Sequence, residues 1–218
     1  MTNNNNKEEL LKIIILGSSQ VGKTSILNRY FNNEFKENML SSIGIDFKTK
    51  FFKFDGNKVK FNYIDTAGEE KFRAISVNYL KGTNGVILVF DLTNKETFDL
   101  IGNWIEDIEQ NNQSDIAKIL FGNKSDVLDG RQVSIEEAEQ LADKLGCKYY
   151  EGSAKTGQNI NEALDEIAKI SYEQYKSSER RHSIRISSEV SNDNNKKDKK
   201  AKKKKALLSK IKLDVKKF

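Results

Sequence analysis

The 218-residue chain has no proline, one cysteine (Cys147) and one histidine (His182). Without proline, no X-Pro bond isomerises slowly during folding and no proline-rich spacer is available. A single cysteine makes no internal disulfide, and with one histidine it falls short of a Cys/His zinc set. The chemistry is therefore expected to run without disulfides, zinc or histidine. Long apolar runs are also lacking. The longest, Val86 to Phe90, is far below the roughly 20 residues that cross a bilayer, and Met1 to Glu9 offers no apolar stretch for a signal peptide. A cytosolic or nuclear chain is expected.

Charge is present in quantity and unevenly placed. Up to Tyr175 there are 21 basic against 27 acidic side chains, and after it 16 against 5. A mildly acidic body thus carries a strongly basic tail. Lys196 to Lys205 has lysine at eight of ten positions, a composition that repels itself and buries nothing, so disorder is expected there. The Asn-rich start, residues 1–7, is likewise low in complexity. The folded domain is expected over residues 8–176, with residues 177–218 as the tail.

Ile13 to Leu16, Val86 to Phe90 and Ile119 to Phe121 are short β-branched or apolar runs followed by turn residues. They suit strands buried on both faces, although periodicity alone does not separate them from buried helix. Between them lie helical patterns. Ser134 and Glu137 form a capping box ahead of Ile135, Ala138, Leu141, Ala142 and Leu145, and a second helix is expected from Asn159, with Glu162 three residues on. Val59, Phe61 and Tyr63 alternate with Lys58, Lys60 and Asn62. With Asp55-Gly56-Asn57 before them and a Phe-rich segment before that, they signal a hairpin. The sum is an α/β chain with a mainly parallel sheet, helices on both faces, and ligands at the carboxyl ends of the strands.

Directly after the first strand comes Gly17-Ser18-Ser19-Gln20-Val21-Gly22-Lys23-Thr24, a full G-x-x-x-x-G-K-[ST] match opening a helix. Backbone amides of such a loop wrap a polyphosphate, Lys23 reaches the β and γ phosphates, and Thr24 offers a hydroxyl to Mg²⁺. Asn123-Lys124-Ser125-Asp126 follows the strand at Ile119 to Phe121. The carboxylate of Asp126 can accept from guanine N1–H and its exocyclic amine, donors that adenine lacks.

These motifs together resemble the Rab family of Ras-like small GTPases. Ser153-Ala154-Lys155 matches that family's last guanine-contacting loop, and Asp65-Thr66-Ala67-Gly68 matches its metal-side segment. Ile43 to Phe47, Lys71 to Ile75, Tyr79 to Gly82 and Leu88 to Thr93 match further Rab stretches. The resemblance covers about residues 8–176 and implies a P-loop fold with a six-stranded sheet and one antiparallel hairpin strand. It implies GTP/GDP and Mg²⁺ as ligands, Ser25 beside the phosphate loop, Phe35 flanking the guanine, Ser42 as a second hydroxyl on Mg²⁺, Asp65 holding the metal through water, and Gly68 at the γ phosphate. Ser41, Ser42, Ile43, Gly44, Ile45, Asp46 and Phe47 would form the effector region. It also implies effector, exchange-factor and activating-protein partners, a monomer, and a role in vesicle trafficking at the cytoplasmic face of endomembranes.

Three departures stand out. Glu69 replaces the glutamine that orients the attacking water. Its carboxylate suffers like-charge repulsion beside a γ phosphate, and it accepts from water without donating to the transferring oxygens as an amide does. With Lys23 it is the candidate catalytic residue, and slow hydrolysis is expected. A hydrolysis-deficient GTP-binding platform and a solvated Glu69 are the alternatives. Ser42 replaces threonine, keeping the hydroxyl and losing a methyl group. Finally, the chain ends Asp214-Val215-Lys216-Lys217-Phe218, without the prenylated cysteines usual in the family, so prenylation is not expected. The lysine run followed by Leu207, Leu208, Ile211, Val215 and Phe218 fits an amphipathic segment on an anionic membrane, or a solvated tail. Nucleic acid is disfavoured, because the run has no interleaved aromatics.

Overall fold

The computed structural model describes residues 9–37, 44–66, 78–111 and 116–185. The chain divides into two compact units, Met1–Gln174 and Tyr175–Phe218. In the first, strands β1 (Glu9–Leu16), β2 (Asp46–Phe54), β3 (Asn57–Asp65), β4 (Gly85–Asp91), β5 (Ala117–Asn123) and β6 (Lys148–Glu151) alternate with helices α1 (Lys23–Asn32), α2 (Lys95–Asp99), α3 (Ile101–Asn111) and α4 (Ile135–Leu145). A last helix of this unit, α5, occupies residues 160–174. One sheet runs in the order β2-β3-β1-β4-β5-β6, with β2 antiparallel to β3 and every other pair parallel. This is the α/β architecture that the sequence predicts, with all three apolar runs lying in central strands.

Burial follows from composition. The whole of β4 is buried, and so are the last four residues of β1, as expected for strands covered on both faces. On one face Ile14, Leu16, Leu88, Phe90 and Leu120 pack with Trp104 and Ile108 of α3 and Ala138 and Ala142 of α4. The opposite face is covered by α1 and α5. There the Tyr63 hydroxyl donates to the Leu164 carbonyl at 3.0 Å, Tyr30 and Tyr63 rings lie 5.6 Å apart, and the Tyr30 hydroxyl bonds Asp165.

The hairpin between β2 and β3 turns at Asp55 (φ 49°) and Gly56 (φ 81°). Positive φ at both central residues is the tight-turn geometry whose twist matches the flanking strands. Ser134 caps α4 through the full reciprocal box with Glu137, as read from the sequence. Two local expectations are corrected. Ile135, at the first helical position, is 49% exposed, whereas Ala138 and Ala142 further along the helix are buried. Asn159 precedes the last helix but adopts φ 57°, and its side-chain amide donates to the Glu151 carbonyl at 2.6 Å instead of capping the helix. The sequence reading identified neither α3 nor β6 individually.

Strand β1 lies between β3 and β4, so the strand order reverses beside it. Chains leaving β1 and its neighbour diverge to opposite faces, and a crevice opens at their carboxyl ends. The cleft described next sits at that point.

Candidate functional site

Gly17 ends β1 with φ 147°, and a Cβ there would stand 2.2 Å from the Val89 carbonyl oxygen. Only glycine lets the chain leave the sheet so close to β4. Gln20 (φ 62°) and Gly22 (φ 96°) are left-handed as well, which curls the loop back over the start of α1. Gly22 is the N-cap and no side chain caps the helix. The first amides of α1, with the positive end of its dipole, are thus turned to the loop, a ready anion site. Lys23 is only 5% exposed. Its ammonium reaches back across the loop and donates to the carbonyls of Gly17 and Ser18, each at 2.8 Å.

The other end of the cleft is built by side chains. Asn123 closes β5, donates from Nδ2 to the Val21 carbonyl at 2.7 Å, and accepts on Oδ1 from the Ala154 amide at 3.1 Å. One amide group therefore joins the phosphate loop, β5 and the loop after β6. Lys124 (φ 70°) extends over Asp91, its ammonium 2.6 Å from the carboxylate. Asp126 accepts from the Ser153 hydroxyl at 2.5 Å, and that hydroxyl oxygen accepts from the amides of Lys155 and Thr156. Arg29 of α1 completes the frame by donating to the Ala154 and Lys155 carbonyls at 2.9 and 2.6 Å.

Between these ends lies a cleft of about 420 Å³, within the usual range for small-molecule sites. Of the residues predicted from sequence, Ser19, Gln20, Gly22, Lys23, Thr24, Ser25, Phe35, Asn123, Lys124, Asp126, Ala154 and Lys155 line it. Gly17, Ser18, Val21, Asp65 and Ser153 stand behind that lining and hold it. Lys36, Glu37 and Val127, which sequence reasoning did not single out, also line the cleft, and so does Thr66 of the predicted metal-side segment. Arg29 was missed too, since the contacts that tie it to the cleft are with residues more than a hundred positions away. Thr66 is buried and donates its hydroxyl to the Ile15 carbonyl at 2.7 Å, pinning the end of β3 to β1.

Asp65 is the feature that fits a hard cation. It is 2% exposed, its Oδ1 is buried without a hydrogen-bond partner, and its carboxyl is pushed up from the ordinary range by burial, opposed by a hydrogen bond to Thr24 and by the charge of Lys23. A carboxylate and a hydroxyl beside a phosphate loop are the oxygen donors that Mg²⁺ takes, usually keeping several waters. Among the described residues no cluster of three His, Cys, Asp or Glu side chains provides another metal site. Of the predicted effector region, Asp46 and Phe47 open β2, and the Phe47 ring is 51% exposed and 5.8 Å from that of Tyr79. Ser41, Ser42, Ile43, Gly68 and Glu69, together with the chain after residue 185, lie outside the described residues.

The model of the Ras family matches residues 12–173. Ras-related protein Rab-8B of Homo sapiens is 44% identical over 160 residues, 73% of this chain and 77% of the relative. GTP-binding protein ypt2 of Schizosaccharomyces pombe is 42% identical over the same length, 73% of this chain and 80% of that protein. Ras-related protein Rab-8A of Mus musculus is 44% identical with coverage of 73% and 77%. Motif order, sheet topology, cleft geometry and these identities agree, and the chain belongs to the Rab family of Ras-like small GTPases.

Proposed function

We propose that the cleft holds a guanine nucleotide, with the polyphosphate on the Gly17–Thr24 loop and the base between Lys124, Asp126 and the loop Ser153–Lys155. The observation carrying this reading is the Asn123 amide, which binds Val21 and Ala154 at once and so sets the phosphate loop and the base loop around one cavity. As a Rab-like small GTPase the chain binds GTP and GDP with Mg²⁺, hydrolyses GTP, and switches partners in vesicle trafficking through effectors, an exchange factor and an activating protein. Among the described residues, no helix is long and apolar enough to cross a membrane.

In this reading the loop amides and Lys23 bind the β and γ phosphates, and the Asp126 carboxylate accepts from the two guanine donors. Phe35 covers the base. Thr24 and Ser42 would offer hydroxyls to Mg²⁺, and Asp65 would hold it through water. The bound Mg²⁺ would supply positive charge to offset the charge that develops on the phosphates. Ser19, Gln20 and Ser25 shape the cradle, Gly68 meets the γ phosphate, and the segment Ser41 to Phe47 meets effectors.

Glu69 tunes the rate. An anionic side chain next to the γ phosphate orients water less well than an amide and does not donate to the phosphoryl oxygens, so intrinsic hydrolysis is slower than with glutamine. Single-turnover hydrolysis of bound GTP with Mg²⁺, comparing the chain with Glu69→Gln, tests this: the expected outcome is measurable turnover that Glu69→Gln accelerates. No turnover in either form counts against the switch, and equal rates count against the role of Glu69. The lysine-rich tail adds attraction to anionic membranes, about 1 kcal/mol for each lysine near the surface. Equal flotation with anionic and neutral vesicles at physiological salt removes that part of the proposal.

A further inference from the structure

Residues 175–185 of the second unit are helical, and their contacts with one another are local and exposed. The Tyr175 hydroxyl donates to Glu179 at 2.7 Å, Lys176 pairs with Glu179 at 3.3 Å, and the Ser183 hydroxyl donates to the Glu179 carbonyl at 3.0 Å. Such solvent-screened pairs stabilise a helix little. Within this segment runs Arg180-Arg181-His182-Ser183-Ile184, all five exposed. Ile184 is 68% exposed, an apolar side chain held in water directly after a serine. No other serine or threonine of the chain has arginine both three and two residues before it.

We propose that Ser183 is a phosphorylation site for an arginine-directed serine/threonine protein kinase. Two guanidinium groups at the third and second positions before the acceptor suit a peptide groove lined with carboxylates, where forked, charge-assisted hydrogen bonds set register. Ile184 fills an apolar pocket beside the acceptor. The hydroxyl gives up one local bond to the Glu179 carbonyl, a group that water re-solvates at this exposed position. In the transfer, Ser183 Oγ forms a bond to the γ phosphorus of ATP as the bond from that phosphorus to the β,γ-bridging oxygen breaks. ADP leaves with the electron pair, and the serine proton passes to the kinase's catalytic aspartate. The product carries about 1.5 to 2 negative charges at pH 7, in a region after Tyr175 that otherwise has 16 basic against 5 acidic side chains.

The test uses the full chain, Mg-ATP and the catalytic subunit of cyclic-AMP-dependent protein kinase as the arginine-directed probe, with occupancy of each serine read by mass spectrometry. Ser183 is expected to be modified first. Ser183→Ala and the double variant Arg180→Ala/Arg181→Ala are each expected to lower the initial rate about tenfold or more, whereas Arg185→Ala changes it less than about twofold. Arg180→Lys/Arg181→Lys is expected to restore little of the rate, since an ammonium lacks the guanidinium fork, and full restoration would overturn the forked recognition. Incorporation within about twofold of the natural chain in Ser183→Ala, or prior modification of Ser187 or Ser188, overturns the proposal. So does modification of a free peptide of residues 178–188 when the full chain remains unmodified, since the folded segment then hides the site. All variants lie outside the first unit, and circular dichroism confirms that they fold alike.

Discussion

The two ends of the cleft are built in opposite ways. The phosphate end comes from eight consecutive residues, Gly17 to Thr24, and its working parts are backbone: left-handed glycines, amides and carbonyls held by one lysine. The base end comes from segments 31 residues apart across the Asn123–Ala154 bond, and its working parts are side chains bonded to one another or to distant backbone. A site made of backbone is specified by which residues permit the conformation. A site made of side chains is specified by which elements the fold sets side by side.

This contrast can be broken experimentally. The largest effect is expected at Asp126, where Asp126→Ala leaves the two guanine donors unpaired and should lower GDP affinity by roughly 10³-fold or more in a fluorescent-nucleotide displacement assay. The melting midpoint should fall by less than for Asn123→Ala, since among the described residues the bond lost is the one from the Ser153 hydroxyl. Unchanged affinity would mean that the base does not sit at this end. Next comes Gly17→Ala. Its Cβ meets the Val89 carbonyl at 2.2 Å in a left-handed conformation, so urea unfolding should show a loss of about 3 kcal/mol before any nucleotide is added. A stable variant would show that β4 gives way and that the backbone end tolerates side chains.

A smaller loss tests the link between the ends. Asn123→Ala strands the Val21 carbonyl and the Ala154 amide, both now bonded in a buried place, at a cost of about 2 kcal/mol. A midpoint lowered by about 4 to 8 °C, accompanied by weaker nucleotide binding, is expected. Weaker binding with no loss of stability would confine Asn123 to ligand contact. The smallest effect is predicted at Ser134, where removing the cap of α4 should cost about 1 kcal/mol and leave nucleotide affinity as it is, because neither member of the capping box lines the cleft.

Much of this was legible beforehand. The β-branched runs became central strands, as suits the double burial of a parallel sheet, and the turn fell within Asp55-Gly56-Asn57, whose residue types tolerate positive φ. The phosphate loop needed no tertiary information for the same reason. Ile135 and Asn159 went otherwise. Helical periodicity places Ile135 on an apolar stripe without saying where the sheet ends, and the pull of the Glu151 carbonyl on Asn159 is a contact eight residues away that no capping pattern encodes. The lining residues Lys36, Glu37 and Val127 carry no motif of their own. They are polar or apolar loop residues until the cavity exists.

By itself the sequence determined the α/β alternation, the phosphate loop and the separation of an acidic body from a basic tail, because each depends on residue type and near neighbours: steric freedom at φ, side-chain branching, and the sum of charges. The tertiary structure decided that Asn123 binds Val21 and Ala154 together, that Arg29 clamps a loop more than a hundred residues on, and that Asp65 keeps one buried oxygen without a partner beside Thr24. These depend on the order of strands in the sheet, since a hydrogen bond reaches about 3 Å and only packing brings such distant parts of the chain that close.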